Sequence, residues 1–443
     1  MNAPRKHAAW WVVALAAVFA VLQLANVTGR DTPDTRNYVS YALSLTGASK
    51  REAATATIDY VCAGDASLAR RRQSVDVVHF HAPDPTREVT DKCRRGLWAK
   101  LAAKQLDGPQ VTGHTAPFAS ERFRRIFEVR PGYPALLAPF VAVFGVTWGV
   151  WLCGVLVAAA GGVLVFLILR TLRASTGVAL TGQALYYVLP VGTTAMRPMT
   201  EGLMLALTLS ALWGCALALR DQGGEQEQGL DRVRLGAQLV AVSLVLLFAV
   251  KHSQALFLGV CLAGACAVVG VRRWRRGRRP GRGVVLLGAI GVGAAVGTLL
   301  VARALHYPSQ AESLQDLLTN HFERPDRTRP WREFLHLEFD FWVEWGRRQC
   351  MEPLFVAALG AGAWGVLRRR PAFGVFAVAG ACTGILTQAA HPDINIWGAR
   401  LIVLAWLLPV LGLPLLLEEA VRAWGRVAVP GQQNREGAAH SLR

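Results

Sequence analysis

Two kinds of pattern are missing from this sequence. No ten-residue stretch alternates strictly between apolar and polar residues, which excludes a transmembrane β-barrel. No Cys/His spacing resembles a zinc site, and no segment recurs at a fixed period. Negative charge is scarce as well: 30 Asp and Glu stand against 48 Lys and Arg, a formal net charge of +18. A basic excess often signals nucleic acid. Its placement argues otherwise here. Seven arginines fall in "RRWRRGRRPGRG" (272–283) and three in "RRRP" (368–371), each between apolar runs. That is the positive-inside pattern of a membrane protein, which orients helices and needs no polyanion, so no nucleic-acid partner is expected.

What the chain has is apolar length. Of 443 residues, 53% are hydrophobic, and several runs reach the roughly 20 residues that cross a bilayer as helix. The first, "AAWWVVALAAVFAVLQLANV" (8–27), has no small-residue cleavage site after Val27 and reads as a retained anchor. The expectation is an all-α polytopic membrane protein of about ten transmembrane helices. Taking the arginine loops as cytoplasmic sets the topology. Residues 1–27 carry the first span, and 28–146 an extracytoplasmic loop with juxtamembrane helices. Spans two to seven occupy 147–304. A second large outer segment covers 305–351, spans eight to ten 352–417, and a cytoplasmic tail 418–443. Within the first loop, "RPGYPALLAPFVAVFG" (130–145) is short and holds three prolines, so it reads as interfacial or re-entrant. A full crossing there would put "RTLR" (170–173) outside, against the charge rule. "NYVSYALSL", "REAATATIDYV" and "GLWAKLAAKQL" have the spacing of short amphipathic helices lying on the membrane. The polar stretch 220–234 reads as a flexible cytoplasmic connector.

Of eight cysteines, Cys153, Cys215, Cys261, Cys266 and Cys382 lie in apolar spans and read as small packing residues. Cys62 and Cys93 share the first outer loop, where an oxidising exterior would allow a disulfide. His79 and His81 in "VVHFHAP" alternate as on a short strand, with a structural role or a contact to a substrate both open.

Four polar places fall on one side of the membrane under this topology. Asp34, Tyr38 and Ala42 are four apart, on one helix face, with Asp34 at the start; it is either an N-cap or a base. Arg197 and Glu201 sit at the mouth of a span. Glu201 either complements the helix dipole or pairs with Arg197, since a carboxylate beside an apolar run is costly alone. Lys251 lies in "AVKHSQ", between two spans with almost no loop, as an exposed turn or an anion contact. Arg400 opens the last span, snorkelling or forked onto phosphate. Together they suggest a site for a phosphate-bearing ligand with a base nearby.

Several pieces carry a resemblance: the first span followed by "DTRNYVSYA", the proline-containing "RPGYPALLAPFVAVFG", "RPMTEGLMLAL", the lysine of "AVKHSQ", and "GARLIVLAWLLP". From the N-terminus to about residue 417 the chain resembles the GT-C superfamily. These are integral membrane glycosyltransferases that use polyprenyl-phosphate sugars, and the likeness is to the protein mannosyltransferase and aminoarabinose transferase type. The resemblance implies Asp34 as general base, with Asp31 and Glu201 as the other candidate acids. It implies Lys251 and Arg400 as donor-phosphate contacts, and Arg197, at the mouth of the same span as Glu201, is a further candidate for that role. It also implies a cell-envelope glycan, lipid or protein acceptor. The co-substrate is the lipid-linked sugar, and no further cofactor and no metal are expected. The enzyme would act at the outer face of the plasma membrane among membrane lipids. Many members have two adjacent acids at the first site, whereas Asp31 here precedes Asp34 by three residues. A multi-pass transporter or permease is the alternative, on Pro190 and the glycine-rich "GAIGVGAAVG" (288–297); so is a non-catalytic membrane scaffold.

Overall fold

The computed structural model describes residues 3–102, 106, 113–219, 226–396 and 400–427. Among them the regular structure is helical. The first outer segment carries α2 (Thr35–Leu45), α3 (Lys50–Gln73), α4 (Thr86–Ala102) and α5 (Glu121–Glu128) after α1 (Ala3–Gln23). Then come α6 (Gly132–Thr171), α7 (Thr176–Val188), α8 (Pro190–Ala195), α9 (Thr200–Ala218), α10 (Gln226–Trp274) and α11 (Arg282–Ala304). The second outer segment holds α12 (Gln310–Leu318) and α13 (Pro330–Met351), followed by α14 (Leu354–Arg369), α15 (Pro371–Ala389) and α16 (Leu407–Val427).

Seven of the described helices are long and apolar enough to cross a membrane, or eight if α13 and α14, bent by 89° to each other, form one broken span. The surface of the bundle agrees with lipid. Val292, Leu299 and Leu300 of α11 are exposed while Val284 and Leu287 of the same helix are buried. A helix apolar on every side needs an apolar surrounding. The expected ten crossings are not ten such helices. Residues 176–195 divide at Leu189 into α7, of 13 residues, and α8, because Pro190 donates no backbone hydrogen bond and restricts the residue before it. Residues 352–367 lie in the 16-residue α14.

Two long helices fold back on themselves. In α6 the break is Gly145, at φ 71° and ψ 172°, a conformation reserved for glycine. Gly149 lies against the backbone of Phe140 and Val141, which a continuous helix would hold far apart. The proline-containing segment is thus a short leg returning on a longer one. In α10 the break is Lys251, extended at φ −161° and ψ 92°. Gly236 of the first leg meets Ala218 at the end of α9, and Val269 of the second leg shares a cavity with Leu219. Both legs therefore reach the same end of the bundle, and Lys251 is the apex between them. The exposed turn considered for residues 251–254 is absent: His252 to Gln254 are already helical.

The first outer segment is more regular than a set of short surface patches. α3 runs for 24 residues, and a Cys62–Cys93 disulfide joins it to α4. His79 and His81 lie in turns, not on a strand: Asp76 accepts from the backbone of Val78 and His79 and holds the His79 ring. The two outer segments pack on each other through Arg122, which pairs with Asp326 at 2.8 Å and covers the Phe322 ring. Of the connector expected at 220–234, residues 226–234 belong to α10 and 220–225 lie outside the described residues. The tail expected from 418 continues α16 to Val427, and 428–443 lie outside them.

Candidate active site

Asp34 directly precedes α2, the place of an N-cap, yet its side chain makes no capping hydrogen bond. Thr35 takes over the local work. Its hydroxyl accepts from the Thr32 N–H at 2.8 Å and donates to the Pro198 carbonyl at 3.3 Å, tying the start of α2 to the segment before α9. The Asp34 carboxylate is left to turn inward, where Oδ2 pairs with Nη2 of Arg400. The N-cap reading of Asp34 is therefore replaced by an ion pair across 366 positions of sequence.

Glu201 closes the arrangement. It lies in the first turn of α9, and its Oε1 accepts from Nε of Arg400 at 3.2 Å and sits 3.5 Å from Nζ of Lys251. Its side chain is 1% exposed, against 10% for Lys251, 13% for Asp34 and 19% for Arg400. A carboxylate so enclosed is tolerable only because two cations bind it. It accordingly fixes both of them in place. The partner expected for Glu201, Arg197, makes no ion pair among the described residues. It lies in the same field, however: burial, then repulsion from Arg400, lowers its pKa, and Glu201 opposes this.

Asp31 is placed differently. Its carboxylate abuts Gly64 of α3, and burial, then the nearby Asp65, raises its pKa. It is no part of the Asp34–Arg400–Glu201–Lys251 network. Tyr38 and Ala42 are buried on the inner face of α2, with Tyr38 edge-on to Phe127 and Tyr133 at 5.2 and 5.7 Å.

Sequence reasoning missed several neighbours. Arg130, just before α6, lies beside the Tyr38 hydroxyl and close enough to repel Lys251, and its buried Nε has no hydrogen-bond partner. It was hidden in a proline-rich segment read only for its apolar length, although a cation opening an apolar run is the same signal that singled out Arg400. Burial lowers the pKa of His391, with Asp316 and Asp393 opposing and Arg400 and Lys251 adding to the shift. His321 is held by Asp316 at 3.0 Å, which raises its pKa, and its ring packs on Phe123. Asn320, His321 and Phe322 all take positive φ, three successive residues in a costly conformation over this end of the bundle. Gln254, by contrast, faces away and donates to Thr383 at 2.9 Å, joining α10 to α15.

One end of the bundle thus gathers four cations, Arg130, Arg197, Lys251 and Arg400, around the paired carboxylates Asp34 and Glu201, with Asp316 and Asp393 beside His391 at its edge. Arg197 is not tied up in an ion pair among the described residues, and of the two carboxylates in the network Asp34 is the less enclosed. Such a group can hold a phosphate and place a proton acceptor beside it. Compared with protein-family models, with curated proteins and with solved structures, the chain matches none.

Proposed function

We propose that the protein is an inverting glycosyltransferase. It moves a sugar from a polyprenyl-phosphate donor to a cell-envelope acceptor at the extracytoplasmic face of the plasma membrane. One observation carries this reading. Asp34 is released from capping α2 and turned onto Arg400, which Glu201 in turn binds together with Lys251.

The donor brings its own leaving group, so no acid is needed to protonate a departing oxygen. Its phosphate takes Arg400, Lys251 and Arg197, with Arg130 alongside. As it engages Arg400 it competes with Asp34 for the guanidinium and leaves the carboxylate free to accept a proton. The acceptor oxygen then attacks the anomeric carbon. The new C–O bond forms as the bond to the phosphate oxygen breaks, the acceptor proton passes to Asp34, and the lipid phosphate departs with its charge held by the cations. A positioned base contributes about 10²–10⁴-fold, and cations aimed at the developing charge contribute further. Glu201 is the anchor of the two cations rather than the base, because it is sealed on every side. Asp31 stands outside the reaction.

The transporter reading would put charged groups near the middle of the spans. Here Glu201 is in the first turn of α9 and Arg400 comes just before the 3-10 turn Leu401–Trp406, both at helix ends. Purified protein offered a panel of polyprenyl-phosphate sugars should release the lipid phosphate from at least one when acceptor is present. Failure with every donor, in protein that is folded and lipid-reconstituted, would sink the enzyme reading.

A further inference from the structure

The opposite end of the bundle holds a second basic feature. α9 carries Glu201 of the candidate active site in its first turn and ends at Ala218, about 26 Å away along the axis. Around its far end lies a cavity of about 550 Å³. Four separate stretches of chain line it: the end of α6, the end of α9, the end of α10 with its following loop, and the α14–α15 junction. Eight of its lining residues are arginines, among them Arg173, Arg272, Arg276, Arg279 and Arg370. No Asp or Glu lines it among the described residues. Its inner wall is apolar, with Leu172, Leu219, Val269 and Phe373.

Charge placement for topology accounts for arginines in each loop. It does not account for their meeting around one concavity. Eight arginines from separate stretches of chain around one volume of this size concentrate positive charge, and a polyanion among them is favoured. Guanidinium groups fork onto phosphate oxygens, and basic pockets between spans suit phosphate-bearing headgroups.

We propose that this cavity is a binding site for a ligand with two phosphate groups, the headgroup of a diphosphate membrane lipid. The apolar wall favours a ligand with an apolar part next to its phosphates over a wholly polar one, since that part would lie against Leu219 and Phe373. The site is separate from the transferase reading and would stand without it.

The test uses the full chain in nonionic detergent, titrated with tetraoleoyl cardiolipin, dioleoyl phosphatidylcholine and inorganic pyrophosphate. Two double variants remove the same charge from the same loop. Arg276→Gln with Arg279→Gln strips the lining. Arg275→Gln with Arg282→Gln changes arginines that do not line the cavity. Cardiolipin should bind well above phosphatidylcholine. The lining pair should lose roughly 10–100-fold in cardiolipin affinity, because each arginine gives charge-assisted hydrogen bonds, and the control pair several-fold at most. Displacement of cardiolipin by pyrophosphate at equal concentration would keep the site and assign it to a soluble diphosphate. Cardiolipin binding that pyrophosphate does not displace assigns it to the lipid. Equal losses in the two variants, or equal binding of both lipids, would overturn the proposal.

Discussion

Glu201 decides most at the scale of single residues. It is the sealed member of the network, with Arg400 and Lys251 on one oxygen. Removing its charge leaves two cations in a confined place with one counter-charge, Asp34, between them. Breaking a buried pair in this way costs about 3–5 kcal/mol. Glu201→Gln should therefore lower the thermal unfolding midpoint in detergent markedly, and an unchanged midpoint would show that the carboxylate is not structural. From the sequence, each of these residues was visible as a polar side chain at the edge of an apolar run. Their partners were not. Spacing along the chain placed Glu201 beside Arg197, whereas pairing across the bundle gave it to residues 50 and 199 positions away. Asp34 was legible as an N-cap because local sequence reports local competition for backbone N–H groups. Only tertiary packing shows that Thr35 and the Pro198 carbonyl hold the turn instead.

At the scale of elements, the breaks in α6 and α10 place the site. Charge bias and proline content set 130–145 apart and divided 235–271, and the structure breaks both helices, at Gly145 and at Lys251. The residues at which the helices turn were not legible, since glycine is common throughout these runs and a lysine gives no hint of an extended backbone. Gly145 makes this testable. A Cβ there would meet nothing within 4 Å, so any effect of Gly145→Ala comes from the backbone alone. The conformation at φ 71° should cost about 1–3 kcal/mol with a side chain present. The variant should melt lower by that amount in detergent. Unaltered stability would contradict the folded-back arrangement of α6. The outer segments were legible as helical, but α3 continues well past its apolar patch. A capping box at Ser49 and Glu52 and the Cys62–Cys93 bond support that length, which amphipathic spacing does not report.

For the whole molecule, the two ends of the bundle differ in kind. One carries a mixed network of acids and cations under two packed outer segments, and the other an arginine-lined cavity. The proposed function takes the arginine end as cytoplasmic, on the positive-inside rule, and so requires the network to face the exterior. Reporter fusions after residues 100 and 276 should score on opposite sides of the membrane. The same side for both would remove the basis for an extracytoplasmic site. Membrane class and general course were readable because they follow from composition and charge summed over long stretches. Asp34, Glu201, Lys251 and Arg400 were expected from the sequence to lie together around one anionic ligand, and the coordinates supply the direct pairing among them.

The account rests most heavily on Asp34 as the proton acceptor, and the turnover of Asp34→Asn measures that directly. With a polyprenyl-phosphate sugar that the unaltered protein accepts, sugar transfer should fall by about 10²–10⁴-fold while insertion, folding and donor binding persist. Transfer at the original rate by the folded variant would contradict the account.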